Sequence, residues 1–225
     1  MAQTTSQLWK QLIRERNTRR EYMFEINAVP YGEDAEISHR VSGGLYEKFG
    51  IGNAAAATLN LGIEAPDVPR GAEIRRYVRL VLEEQATEWL PKGVFYVNRR
   101  SESEGIWTVE AFDALRKAAV PYVLEGEQEQ WPQPVTAVVA SIAERMGVEL
   151  DERTVLDESI LVGHPGSRTM QTVLCHIAAA HAGNWIMTDA GKLRLVPLIS
   201  APPETSYLVD QNGDCITLGG VRILV

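Results

Sequence analysis

Gly105-Ile106-Trp107-Thr108-Val109-Glu110-Ala111 decides the class of this fold. Trp107, Val109 and Ala111 alternate with Thr108 and Glu110, a period of two that sends apolar side chains to one face of a strand and polar ones to the other. Toward the N-terminus, short segments rich in β-branched and aromatic residues recur at Tyr22–Ala28, Ala35–Val41, Ala57–Ile63, Glu73–Leu82 and Gly93–Arg99. Pro30-Tyr31-Gly32 and Pro91-Lys92-Gly93 read as turns, and Ser101–Glu104 as a polar connection of hairpin length. Six strands of this length nearly close a small barrel, so residues 21–125 read as a β-barrel-like domain.

Beyond Phe112 the helical period takes over, first over Asp113–Ala119 and then over Pro134–Met146, where Val138, Val139, Ile142 and Met146 share a face and Gly147 supplies the terminating glycine. Thr169 caps a third helix that buries Val173, Leu174, Ile177 and Ala178 and runs to Gly183. Asn184–Met187 and Lys192–Pro197 flank Thr188-Asp189-Ala190-Gly191, a hairpin turn with glycine where positive φ is needed. The polar stretch Gly126–Gln133 is the best linker in the chain, so residues 126–225 read as a second, α+β unit of helices packed on a hairpin. Asp210-Gln211-Asn212-Gly213-Asp214 reads as a turn and Cys215–Val225 as a terminal strand. That strand either adds to a sheet, such as a neighbour's, or marks a chain cut before a further domain.

At the other end, Leu8, Trp9, Leu12 and Ile13 form the apolar stripe of an amphipathic helix, so residues 1–20 read as a helical arm that packs on its own domain or docks on a neighbouring subunit. The arm holds Lys10, Arg14, Arg16, Arg19 and Arg20 against Glu15, in a chain whose net charge is −8. Such a charge disfavours general nucleic-acid binding. The 225 residues are 45% apolar and 23% charged, the balance of a folded globular chain. No apolar run approaches the ~20 residues of a membrane span, and no signal-peptide core follows Met1, which predicts folding in a cytoplasm. Two cysteines, Cys175 and Cys215, are too few for a disulfide framework and predict reduced thiols.

Chemistry-bearing patterns are weak. Gly50-Ile51-Gly52-Asn53-Ala54-Ala55 imitates a dinucleotide fingerprint, but it follows no parallel strand, and a turn between strands is the better reading. Cys175 with His176 and His181 suggests a thiol nucleophile or zinc. Residues five apart on a helix diverge by roughly 140°, however, and catalysis would need a distant partner such as His39 or His164. Asp210, Asn212 and Asp214 begin like a calcium loop but lack its sixth-place glycine and closing glutamate. Glu33, Asp34 and Glu36 read as a solvated acidic loop. Arg70, Arg75, Arg76 and Arg79 lie on a strand pattern, with Arg75 and Arg79 on one face and Arg76 on the other, suited to surface carboxylates or an intersubunit rim. Trp107, Trp131 and Trp185 would be stacking platforms if exposed, though tryptophan in strand patterns is usually core. No residue is therefore assigned as catalytic, cofactor-binding or metal-ligating, and a non-enzymatic role is expected.

Several phrases together resemble prophage tail proteins of the tail-hub kind: Glu21–Asn27, Gly44–Ala54, Glu88–Tyr96, Trp107–Ala114 and Ala182–Leu193. The resemblance implies a virion structural protein with small β-barrel domains and α/β insertions, assembling as a homo-oligomeric ring, commonly a trimer, below the tail tube. Its implied neighbours are the distal tail protein, the tape-measure protein and a spike or receptor-binding module; the acidic charge of the chain suits a lumen through which DNA passes unbound. A peptidoglycan-degrading tail enzyme and a carbohydrate-binding module for the host surface are the alternatives.

Overall fold

The computed structural model describes residues 5–43, 50–123 and 130–198, with the backbone of Thr217–Leu218 and Val221–Arg222. A short helix, α1 (Gln7–Leu12), precedes β1 (Arg19–Ile26), β2 (Val29–Tyr31), β3 (Glu36–Ser42), β4 (Thr58–Glu64), β5 (Glu73–Leu82), β6 (Gln85–Ala86), β7 (Leu90–Ser103) and β8 (Ile106–Phe112). These eight strands form one antiparallel sheet in the order β2-β1-β5-β7-β8-β4-β3, with β6 on β5. A 3-10 turn (Ala114–Ala118), β9 (Gln133–Pro134), α2 (Val135–Met146), β10 (Leu161–Val162) and α3 (Met170–Ala180) follow. The hairpin β11 (Gly183–Met187) and β12 (Leu193–Pro197) completes the α+β fold.

The alternation read from the sequence builds the sheet core. Phe24, Ile26, Leu59, Leu61, Ile63, Ile74, Phe95, Val97, Val109 and Ala111 are buried on its inner face. A second core joins the 3-10 turn, α2, α3 and the hairpin around a fully buried Trp185. Gly147 ends α2 at φ 70°, Thr169 caps α3 by accepting from Thr172 N (3.1 Å), and Gly191 takes φ 79° in the hairpin turn, all as the sequence predicts.

The sheet path ends at β2 on one side and β3 on the other, and no hydrogen-bonded pairing closes it among the described residues. It is nevertheless strongly curled. Five strand spacings separate β1 from β3, which would be about 24 Å in a flat sheet. Yet the His39 ring of β3 stands 4.3 Å from the Tyr22 ring and 5.3 Å from the Phe24 ring of β1, centroid to centroid. Side chains, not backbone, fasten these edges.

Both proline-glycine turns are corrected. Pro30 and Tyr31 lie inside β2, and the reversal occurs at Asn27-Ala28, where both residues take positive φ (47° and 67°) as a two-residue hairpin requires. Pro91-Lys92-Gly93 lies inside β7, at a register shift opposite Arg75–Tyr77. There β7 has no β8 partner, so a residue without N–H is tolerated. The polar connection shrinks to Glu104-Gly105, since Ser103 already pairs with Ile106. The predicted arm is also shorter: its helix stops at Leu12, and Arg19 and Arg20 belong to β1. α3 stops at Ala180, and Gly183 opens β11. Residues 126–129 of the predicted linker and the Asp210–Asp214 turn lie outside the described residues, while Gln133 belongs to β9. Within the predicted terminal strand, Thr217–Leu218 and Val221–Arg222 instead pair antiparallel with each other.

Candidate functional site

The Gly50–Ala55 stretch is the seam between the two cores. Gly52 N donates to Gly183 O (2.9 Å), Trp185 N to Asn53 O (2.8 Å), and Gln171 Nε2 to Ala54 O (2.9 Å). The buried Asn184 side chain accepts from Asn53 N (2.8 Å) and donates to Gly50 O (2.9 Å). Gly52 takes φ 80° against α3, where an added Cβ would stand 3.1 Å from Ala179 Cβ and 3.2 Å from Cys175 O. The glycines thus serve close approach to a helix flank and not to a phosphate. Away from this stretch, Gly93 N of β7 donates to Asp189 O of the hairpin turn (3.1 Å), reinforced by Lys92 Nζ and Asp189 Oδ2 at 2.8 Å.

Cys175 is half-buried on α3, and burial pushes its thiol pKa up, the opposite of what an activated nucleophile needs. No hydrogen bond joins it to a histidine among the described residues. His181 instead ends α3: its Nε2 accepts from Asp157 N (2.9 Å), which leaves Nδ1 to donate to Ile177 O (2.8 Å). His176 lines a cavity beside β10 together with His164, whose ring meets Trp131 edge-on at 5.6 Å. No group of three or more His, Cys, Asp or Glu suited to a metal occurs among the described residues.

The acidic cluster divides. Asp34 is exposed, Glu33 pairs with Arg19 (3.2 Å), and Glu36 turns inward to His39 Nδ1 (2.5 Å). His39 Nε2 lies 3.2 Å from Arg76, whose guanidinium also covers the Tyr22 ring at 4.8 Å. This polar knot inside the sheet was hidden from the sequence, because β3 and β1 meet only through the curl. The arginine faces are as read: Arg75 pairs with Glu73 (2.6 Å) and Arg79 with Glu21 (2.7 Å) on one side, while Arg76 points to the other. Arg70 is the exception, standing in the turn before β5.

Of the tryptophans, Trp185 is fully buried and donates to Leu174 O (2.9 Å), which removes it as a stacking platform. Trp107 donates to Ala65 O (3.0 Å) beneath Arg100. α1 packs on its own sheet: Leu12 is buried, and Ser6 binds Glu88 through N (2.8 Å) and Oγ (2.7 Å). One carboxyl that sequence reasoning missed is Asp113, which accepts from Ala57 N (2.9 Å) and Leu115 N (3.0 Å). Burial pushes its pKa up to about 6.

Two strand edges of the sheet are open among the described residues. β2 covers only Phe24–Ile26 of β1, and β3 pairs with β4 alone. Ile37 and Val41 of β3 are large apolar side chains in contact with solvent. No described helix is long and apolar enough to cross a membrane.

No protein-family model matches the chain, and no curated protein matches it. Among solved structures, the 43 kDa tail protein of prophage MuSo2 from Shewanella oneidensis matches with a TM-score of 0.52 at 12% identity, over 84% of this chain and 59% of that one. A tail protein from Neisseria meningitidis MC58 gives 0.47 at 11% identity, over 88% and 53%. A prophage tail protein from Listeria monocytogenes EGD-e gives 0.47 at 8% identity, over 85% and 55%. The chain therefore spans little more than half the length of these tail proteins, and over most of its own length it has the fold of the Shewanella one.

Proposed function

We propose that this chain is a non-enzymatic structural component of a phage or prophage tail that works through subunit contacts, as part of a hub ring at the tail tip. The observation that carries the reading is the shared fold over 84% of the chain. The chemistry of the candidate residues supports it: Cys175 is raised in pKa, His181 caps a helix, and the glycine-rich stretch is a packing seam. Residues 21–125 would be the barrel-like hub domain, its curl fastened by side chains, and residues 126–225 the α+β domain beside it. Partners in such a ring would be further copies of the chain, commonly three, with the distal tail protein, the tape-measure protein and a spike or receptor-binding module. The net charge of −8 suits a lumen that DNA crosses without binding.

Light scattering of the purified chain across a concentration series tests this, beside an Ile37→Lys/Val41→Lys variant that places charges on the β3 edge. Edge lysines block strand addition. A trimeric or hexameric mass that the variant reduces to a monomer is the expected result. A monomer at every concentration, together with peptidoglycan hydrolysis that one substitution abolishes, would replace the reading with that of a tail enzyme.

A further inference from the structure

A cavity of about 360 Å³ lies between α1 and the inner face of β1, β5 and β7. That is the size of a small-ligand site, placed at the mouth of a curled sheet. Its apolar wall includes Trp9, Val78, Leu80 and Leu90, while Arg20, Arg76 and Lys92 supply positive charge. Lys92 is paired with Asp189. Arg20 and Arg76 have no carboxylate within ion-pair distance among the described residues, in a chain that is acidic overall.

Arg76 is the telling group. Its Nε is buried and makes no hydrogen bond, while the rest of the guanidinium meets the His39 imidazole at 3.2 Å and the face of Tyr22, with Glu36 and Asp189 acting on it through space. Burial lowers its pKa, but a guanidinium stays charged. A buried N–H of a charged group without its own acceptor is costly, and an oxyanion would remove that cost with a charge-assisted bond to Nε. Other arginines of the sheet, Arg75 and Arg79, already have their carboxylates.

We propose that this cavity binds a small molecule with a phosphate or carboxylate on an apolar body, the oxyanion at Arg76 and Arg20 and the body against Trp9 and Leu80. Titration calorimetry on the full chain, with phenyl phosphate and benzoate as probes and benzyl alcohol as the uncharged comparison, tests it. Saturable 1:1 binding of at least one anionic probe is expected, with none for benzyl alcohol. Arg76→Gln and Arg20→Gln should each weaken it by about tenfold or more, as loss of a charge-assisted bond does. Arg99→Gln, remote and exposed, should leave it unchanged. Arg20 is exposed near the start of β1, so its variant keeps the question answerable if Arg76→Gln fails to fold. Absence of saturation by both anions at millimolar concentration, or undiminished binding in Arg20→Gln, overturns the proposal.

Discussion

Replacing Asn184 with alanine should cost far more than an asparagine deletion usually does. The side chain makes two bonds, one accepted from Asn53 N at 2.8 Å and one donated to Gly50 O at 2.9 Å. Their fates on truncation differ. Asn53 is 3% exposed, so its N–H is stranded away from water, a loss of about 1–3 kcal/mol. Gly50 lies at the surface, where water can replace the amide, so that bond contributes only about 1 kcal/mol. The total, about 2–4 kcal/mol, is a large share of the ~5–15 kcal/mol that holds a domain together. Urea unfolding followed by circular dichroism measures it as a lowered midpoint at unchanged slope. Asn98→Ala is the internal comparison. It also removes a side-chain bond, from Nδ2 to Glu110 at 3.2 Å, but on the exposed face of β7, and should stay within about 0.5 kcal/mol of wild type. If Asn184→Ala falls no further than Asn98→Ala, the seam does not depend on this side chain.

Gly52→Ala should lose about 2–4 kcal/mol, since a β-carbon at φ 80° meets both Ala179 and the Cys175 carbonyl; a midpoint equal to wild type would contradict the close packing. Asp113 titrates at about 6 when folded and near 3.8 when unfolded, so the folded state holds the extra proton between these values. Its contribution is complete below pH 4 and is lost as pH rises through 6, a swing of about 3 kcal/mol. The stability of Asp113→Asn relative to wild type should therefore improve between pH 4 and pH 7, and a flat difference in paired urea titrations would refute the assignment. In a Cys215→Ser background, Cys175 should react with a disulfide reagent more slowly than a free cysteine at pH 8; a faster reaction would restore it as a nucleophile.

The strands were legible because one-sided burial writes a period of two, as in Trp107, Val109 and Ala111. Helix ends were legible where they rest on local chemistry, as at Thr169 and Gly147. Turns were not legible where proline misled. Pro91 is tolerated because β7 has no β8 neighbour before Tyr96, a fact about sheet order and not about the tripeptide. The true reversal at Asn27-Ala28 gives little signal, since alanine at positive φ is rare. The seam was beyond reach for a different reason. Asn53 and Asn184 stand 131 residues apart, and neither carries a local mark of the other. Arg76 was placed on its correct face by parity alone, yet its company of Glu36, His39 and Tyr22 arises only when the sheet curls.

That side-chain fastening has a consequence for how the sheet breathes. β3 is held by backbone bonds on one side only, and on the other by one imidazole ring and its contacts. Once those contacts part, β3 is left with its ladder to β4 alone, and opening that ladder is a local excursion below the cost of global unfolding. Amide exchange would record it as a gradient, with protection weakest along β3 and rising through β4 to β8, which lies one strand further from the open edge.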